Sequence, residues 1–120
     1  MTKRKLLYVD DEQANLFLFE VLFQPHFDLV LASSGREAID QLAEDEEIEI
    51  IITDLRMPEM DGYELLKEVR VKYPQVYRCV LTAFLFNNEL DEAIKEGLVQ
   101  KAFKKLMNSD EMVDQLLQGF

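Results

Sequence analysis

The sequence predicts an α/β protein built on a doubly wound, five-stranded parallel sheet with five helices. Short apolar or β-branched runs alternate with helical patterns along the whole chain. Residues 49–53 include three consecutive isoleucines, which favours a strand buried on both faces, as in a parallel sheet. No internal repeat and no Pro-, Gly- or Ser-rich linker divides the 120 residues, so we expect a single domain over 1–120.

Each element has a local signal. Pro25 and Pro74 end the first and third helical patterns, and Gly97 predicts a left-handed cap on the fourth. Ser34 and Glu37 have the spacing of a capping box at the start of the second helix. We predict strands over 5–9, 27–32, 49–53, 78–81 and 102–103, and helices over 12–24, 34–44, 62–72, 88–97 and 109–118. The last helix has an apolar stripe of Val113, Leu116, Leu117 and Phe120.

Composition excludes several classes of protein. The formal net charge of -11 at pH 7 argues against direct binding to nucleic acid, whose partners concentrate Lys and Arg. No apolar run approaches the roughly 20 residues of a membrane span. The one cysteine, Cys79, cannot form an internal disulfide and is expected in a buried strand, which fits a cytoplasmic location.

Polar side chains collect where the predicted strands end. Ligands of doubly wound sheets bind beyond the carboxyl ends of the strands, so side chains at those ends are expected to meet. The residues concerned are Asp10, Asp11 and Glu12 after the first strand, Asp54 after the third, Thr82 at the end of the fourth, and Lys104 and Lys105 after the fifth.

These residue types together suit phosphoryl transfer, although each alone is common in turns and helix caps. Crowded carboxylates repel one another unless a cation compensates them. An all-oxygen cluster on short side chains suits Mg²⁺, which also recruits phosphate oxygens. A carboxylate beside Mg²⁺ can attack phosphorus and form an aspartyl phosphate, while the metal and a lysine neutralise the transferring group.

Three segments resemble the receiver domain of two-component response regulators. They are Val9-Asp10-Asp11-Glu12, the nine residues from Asp54 to Gly62, and Leu81-Thr82-Ala83. The resemblance covers essentially the whole chain. It implies a flavodoxin-like fold, similar to that of the chemotaxis regulator, with strand order 2-1-3-4-5.

The resemblance also implies roles for individual residues. Asp54 would be the phosphoacceptor. Asp10 and Asp11 would bind Mg²⁺ directly or through water, together with Asp54 and the backbone carbonyl of Arg56. Thr82 would contact the phosphoryl oxygens.

The fifth strand departs from the family pattern. In the family pattern, two apolar residues and one spacer residue precede the lysine. This spacing favours Lys105, with Lys104 as the alternative. Leu106 stands where the family has a proline, and a cis bond before a residue other than proline would cost about 3 kcal/mol. Ala102 replaces an aromatic residue that many relatives use in switching.

The first helix carries two apolar stripes, where a surface helix needs one. One stripe is expected in the core, and the other is either part of a wide buried face or a docking surface for a histidine kinase or phosphotransfer protein. Another apolar run, 84–86, either plugs the core or forms an output surface. The first stripe is Ala14, Phe17, Leu18 and Val21, and the second is Leu16, Phe19 and Phe23.

The resulting prediction is a phosphorylation-activated switch, not an enzyme beyond its own phosphorylation and dephosphorylation. A histidine kinase or phosphotransfer protein would phosphorylate Asp54, and the surface of the fourth helix, fifth strand and fifth helix would change, with homodimer formation as one expected output. The alternative is a phosphorylation-independent adaptor with the same fold. A small phosphohydrolase with an aspartate nucleophile is disfavoured, because the chain leaves no room for a substrate lid.

Overall fold

The protein folds as one five-stranded parallel sheet with helices on both faces, in a computed structural model that describes residues 3–83, 87–105 and 109–118. The strand order is β2-β1-β3-β4-β5, as the resemblance implied. The strands are β1 Lys5–Val9, β2 Asp28–Ala32, β3 Ile50–Thr53, β4 Tyr77–Thr82 and β5 Lys101–Lys104. The helices are α1 Gln13–Phe23, α2 Gly35–Glu44, α3 Gly62–Lys72, α4 Asn88–Lys95 and α5 Ser109–Gln118.

Strand register brings the carboxyl ends of the five parallel strands to the same edge of the sheet. Val9 lies opposite Ala32 and Thr53, which places the ends of β1, β2 and β3 side by side. Thr82 at the end of β4 pairs with Lys104 of β5. The pairing continues beyond the strands, since the Asp54 N–H donates to the Val9 carbonyl over 3.0 Å. Polar residues that follow these strands therefore lie at one edge.

Two apolar clusters cover the two faces of the sheet. Ile51 packs into the cluster beneath α2, α3 and α4, whereas Ile50 and Ile52 pack into the cluster beneath α1 and α5. All three isoleucine side chains are fully buried, which confirms the prediction of a strand covered on both sides. Cys79 is buried in the second cluster, where burial raises the pKa of its thiol.

Helices α2, α3 and α4 begin with side-chain caps, and the cap of α2 differs from the prediction. Ser34 accepts a hydrogen bond from the Glu37 N–H over 3.1 Å, but the Glu37 carboxylate accepts from the Ser33 N–H. The predicted reciprocal box at Ser34 is therefore wrong in its second half, because the preceding residue offers the donor. A reciprocal box is present at α3, between Asp61 and Glu64.

The end of α4 is anchored to the sheet. Gly97 adopts the left-handed conformation that the sequence predicted, with φ of 83°. The buried guanidinium of Arg78 on β4 donates to the carbonyls of Gly97 and Leu98, each over 2.9 Å. Arg78 thus satisfies two carbonyls in the segment that connects α4 to β5.

Helix α1 buries only one of its two apolar stripes. Leu16, Phe19 and Phe23 face the sheet and are buried. Phe17 is 67% exposed and Leu18 is 56% exposed, and Val21 and Leu22 are exposed as well. The alternative of a wide buried face is therefore wrong, because a helix on a sheet contacts it along a single stripe.

The apolar face of helix α5 also differs from the predicted stripe. Val113 and Leu116 are buried as predicted, whereas Leu117 is exposed. Met112 is buried in its place, which rotates the apolar face from the predicted stripe. The apolar run 84–86, residue 106 and Phe120 lie outside the described residues. No helix in the described part of the chain is both long and apolar enough to cross a membrane.

Candidate functional site

Three carboxylates converge at the carboxyl edge of the sheet. Oxygen atoms of Asp10, Asp11 and Asp54 lie within 4.8 Å of one another. Asp10 is fully buried, Asp54 is 8% exposed, and Asp11 is exposed to solvent. The Lys105 Nζ lies 3.2 Å from Asp54 Oδ2 and 4.0 Å from Asp10 Oδ2. Three acidic groups thus share one nearby ammonium, and the cluster has an excess of negative charge.

Both oxygens of Asp54 have a defined partner. The Leu55 N–H donates to Oδ1 over 2.8 Å, and Lys105 contacts Oδ2. Burial raises the pKa of Asp54; the charge of Lys105 opposes this shift, and the neighbouring Asp10 adds to it. The folded protein therefore disfavours the ionised form of Asp54 unless a further cation approaches.

The Asp10 carboxylate accepts hydrogen bonds from three donors. The Tyr8 hydroxyl donates to Oδ2 over 2.8 Å, and the Asn15 amide donates to the same oxygen over 3.1 Å. The Glu12 N–H donates to Oδ1 over 3.0 Å. Burial and the adjacent Asp10 raise the pKa of Tyr8 above its ordinary value, so the phenol remains a donor.

The sequence analysis missed Tyr8 and Asn15 as members of the site. Tyr8 was one residue among several in an apolar strand, and Asn15 one polar residue in a helix. A signal was nevertheless available for Tyr8. Residues i and i+2 of a strand point to the same face, so a tyrosine two positions before Asp10 lies on the carboxylate's side of the sheet.

A cavity of about 680 Å³ opens beside Asp54. Its lining includes Arg56, Thr82, Ala83 and Lys105. Thr82 is buried at the end of β4, and its carbonyl accepts the Lys105 N–H over 2.8 Å. The structure thus gathers the predicted residues Asp10, Asp11, Asp54, Arg56, Thr82 and Lys105 at this edge of the sheet.

The two candidate lysines differ in position. Lys105 contacts Asp54 and lines the cavity, whereas Lys104 is exposed and does not line it. Lys105 is therefore the lysine placed to act on a group at Asp54.

The loop after β3 folds back against the strand end. The Gly62 N–H donates to the Leu55 carbonyl over 2.9 Å. A Cβ on Gly62 would collide with the Asp54 carbonyl oxygen and lie 2.9 Å from the Leu55 Cα. Within the loop, Glu59 has φ of 67°, and the Met60 N–H bonds to the Pro58 carbonyl over 2.7 Å. Close backbone contact at Gly62 thus shapes the wall beside Asp54.

Replacement of Asp54 by asparagine is expected to raise the free energy of unfolding near neutral pH in the presence of a chelator. Because the pKa of Asp54 is raised on folding, its contribution to stability is fully present below the unfolded-state pKa of about 3.9 and is lost as pH rises through the folded-state pKa. Urea denaturation should show a higher free energy of unfolding for Asp54→Asn than for the wild-type protein at neutral pH. This difference should disappear below about pH 3.9. An equal increase in the free energy of unfolding at both pH values would contradict the prediction that the charge of Asp54 destabilises the fold.

The donor set fits a hard divalent cation. All three acidic side chains offer oxygen ligands, which Mg²⁺ prefers. The single ammonium of Lys105 leaves uncompensated negative charge that such a cation would neutralise. A cluster of this type is compatible with a divalent metal site.

Comparisons with known proteins agree with the fold. A doubly wound sheet with an acidic cluster at its switch point defines a class of ligand-binding α/β domain. The family model of the response regulator receiver domain matches residues 6–117, and the chain belongs to that family. It is therefore a receiver domain of the two-component type, a signalling switch rather than a conventional enzyme.

Two relatives illustrate how such domains occur. The chain is 33% identical over 122 residues to the chemotaxis protein CheY homolog of Campylobacter jejuni, covering 96% of this chain and 94% of the relative. It is 31% identical over 102 residues to the transcriptional regulatory protein ZraR of Escherichia coli, covering 84% of this chain. The alignment spans only 23% of the length of ZraR.

Solved structures show the same architecture. The chemotaxis response regulator CheY4 of Vibrio cholerae superposes with a TM-score of 0.87 and 25% identity, covering 99% of this chain and 100% of that one. The signal receiver domain of an HD domain-containing protein from Pseudomonas fluorescens also gives a TM-score of 0.87, with 27% identity and coverage of 97% and 93%.

Proposed function

We propose that this receiver domain accepts a phosphoryl group on Asp54 in a Mg²⁺-dependent reaction and thereby switches its binding surface. The observation that carries the proposal is the placement of Lys105 Nζ 3.2 Å from a buried Asp54, within a cluster of three carboxylates. This combination supplies a nucleophile, a fixed positive charge and a set of oxygen ligands in one place.

Asp54 would act as the nucleophile toward a phosphohistidine of the partner. A bond forms between an Asp54 oxygen and phosphorus while the phosphorus–nitrogen bond breaks, and the imidazole leaves with the electron pair. Lys105 and the hydroxyl of Thr82, both in the lining of the cavity, would bind the phosphoryl oxygens. Such transfers depend mainly on positioning and on neutralised charge.

The metal would be held by the side chains of Asp10, Asp11 and Asp54 and by the backbone carbonyl of Arg56. Mg²⁺ bound there supplies positive charge toward the oxygens of the transferring phosphoryl group. The exposed Asp11 is open to direct coordination, while the buried Asp10 would bind directly or through water.

The exposed stripe of α1 is the proposed docking surface for the donor. Phe17, Leu18, Val21 and Leu22 are all exposed, and α1 begins directly after the acidic residues of the site. An apolar helical face of this kind suits packing against the helices of a histidine kinase or phosphotransfer protein.

The switch would act through the ends of β4 and β5. Phosphorylation adds about two negative charges. These charges would draw Thr82 and Lys105 inward, and the hydrogen bond between their backbones joins the two strands at this point. The expected readout is a change in the surface of α4, β5 and α5, with altered self-association or partner binding.

Acetyl phosphate provides the test. Intact-mass measurement should show the gain of one phosphate in the presence of Mg²⁺, and no gain with a chelator or in the Asp54→Asn variant. Failure of the wild-type protein to be modified would favour the phosphorylation-independent adaptor. Equal modification of the asparagine variant would place the nucleophile elsewhere.

A further inference from the structure

The hydrogen bonds around Asp10 include two from side chains to which the proposed chemistry assigns no role. Oδ2 of Asp10 accepts both the Tyr8 hydroxyl over 2.8 Å and the Asn15 amide over 3.1 Å. We infer that Tyr8 is a positioning residue that fixes the Asp10 carboxylate for selective binding of Mg²⁺. This inference deepens the proposed function and rests on it.

The position of the Tyr8 hydroxyl is itself constrained by packing. The Tyr8 ring stacks on Phe19 of α1 with a centroid separation of 3.9 Å and an interplanar angle of 7°. Phe19 in turn stacks on Phe23 with a separation of 4.1 Å. All three rings are buried, so the hydroxyl cannot leave Asp10 without disturbing the packing between β1 and α1.

A ligand held in this way is expected to favour one cation over another. Mg²⁺ demands near-ideal octahedral geometry, whereas Ca²⁺ accepts variable coordination. Partners that hydrogen-bond a ligating carboxylate orient it, and their loss commonly weakens metal binding. Loss of the Tyr8 hydroxyl should therefore weaken the binding of Mg²⁺ more than the binding of Ca²⁺.

The competing explanation is that Tyr8 only fills the core, and that Asp10 serves merely as the hydrogen-bond acceptor for the Tyr8 hydroxyl. In that case phenylalanine would serve equally well, because it preserves the ring and the stacking. The binding of the two cations would then be unchanged, or changed in equal proportion by a general loosening of the fold. The ratio of the two affinities separates the explanations.

The experiment is titration of the protein with Mg²⁺ and separately with Ca²⁺, followed by amide NMR. Tyr8→Phe should weaken Mg²⁺ binding by about tenfold, and should lower the preference for Mg²⁺ over Ca²⁺. Asn15→Ala, which removes the second donor from a partly exposed position, should act in the same direction. Tyr73→Phe is the matched control, since Tyr73 follows α3 at the opposite edge of the sheet.

Three outcomes are distinguishable. Weaker Mg²⁺ binding and lower selectivity in Tyr8→Phe, beside a normal Tyr73→Phe, support the inference. Unchanged Mg²⁺ affinity or unchanged selectivity in a folded Tyr8→Phe protein overturns the inference and leaves the proposed function intact. Absence of Mg²⁺ binding in the wild-type protein overturns the metal site of the proposed function and the inference with it.

Discussion

Replacement of Lys105 by alanine is expected to slow phosphorylation of Asp54 by about a hundredfold, the usual effect of removing one group that stabilises developing charge. The ammonium lies 3.2 Å from Asp54 Oδ2 and lines the cavity where the phosphoryl group would enter. Its charge also opposes the rise in the pKa of Asp54, so its removal should raise that pKa further. Intact-mass measurement over time with acetyl phosphate and saturating Mg²⁺ gives the rate.

Lys104→Ala is a closely matched control, because the adjacent lysine has the same charge but an exposed position. Its phosphorylation rate should remain near that of the wild-type protein. Equal loss of rate in the two variants would show that overall charge, rather than contact with Asp54, governs the reaction. A larger loss in Lys104→Ala would show that the assignment of the lysine is wrong.

Replacement of Gly62 by alanine is expected to disturb both stability and phosphorylation. The new Cβ would meet the backbone of Asp54 and Leu55, which cannot move aside as a flexible side chain can. Either α3 or the end of β3 must shift, and overpacking of this kind costs about 3 kcal/mol in the free energy of unfolding. Because the displaced peptide belongs to Asp54, the variant that remains folded should also be phosphorylated more slowly.

Gly97→Ala separates local strain from damage to the site. Gly97 has φ of 83°, but no atom lies within 4 Å of a Cβ built there. Backbone strain alone should lower the free energy of unfolding by about 1 kcal/mol and leave the phosphorylation rate unchanged. Urea denaturation and phosphorylation rates of the two variants test this contrast. A normal rate in Gly62→Ala would mean that the loop adapts without moving Asp54.

Local signals were sufficient to predict the fold class and to place the candidate site residues at one edge of the sheet. The three isoleucines of β3 and the proline and glycine stops gave the order of strands and helices, apart from boundary shifts of one or two residues. Parallel strands bring their carboxyl ends together, so Asp10, Asp54 and Thr82 could be placed in one site without coordinates. Spacing along β5 also favoured Lys105, which is the lysine that contacts Asp54.

Other features depended on tertiary packing. The two stripes of α1 are similarly apolar, and only tertiary packing, which includes the stacking of Tyr8 on Phe19 and of Phe19 on Phe23, determines which stripe is buried. The choice between Leu117 and Met112 on α5 depends in the same way on the orientation of the helix. The bond from Tyr8 to Asp10 required both their shared strand face, which strand periodicity records, and the packing of α1, which it does not record.

The most direct test of the central claim is to identify the residue that carries the phosphoryl group. Borohydride reduces an aspartyl phosphate to homoserine, so peptide mass mapping after treatment with acetyl phosphate and Mg²⁺ locates the modified aspartate. We predict homoserine at position 54 alone, and none when a chelator is present. Homoserine at Asp10 or Asp11, or a phosphate gain with position 54 unchanged, would contradict the assignment of Asp54 as the phosphoacceptor.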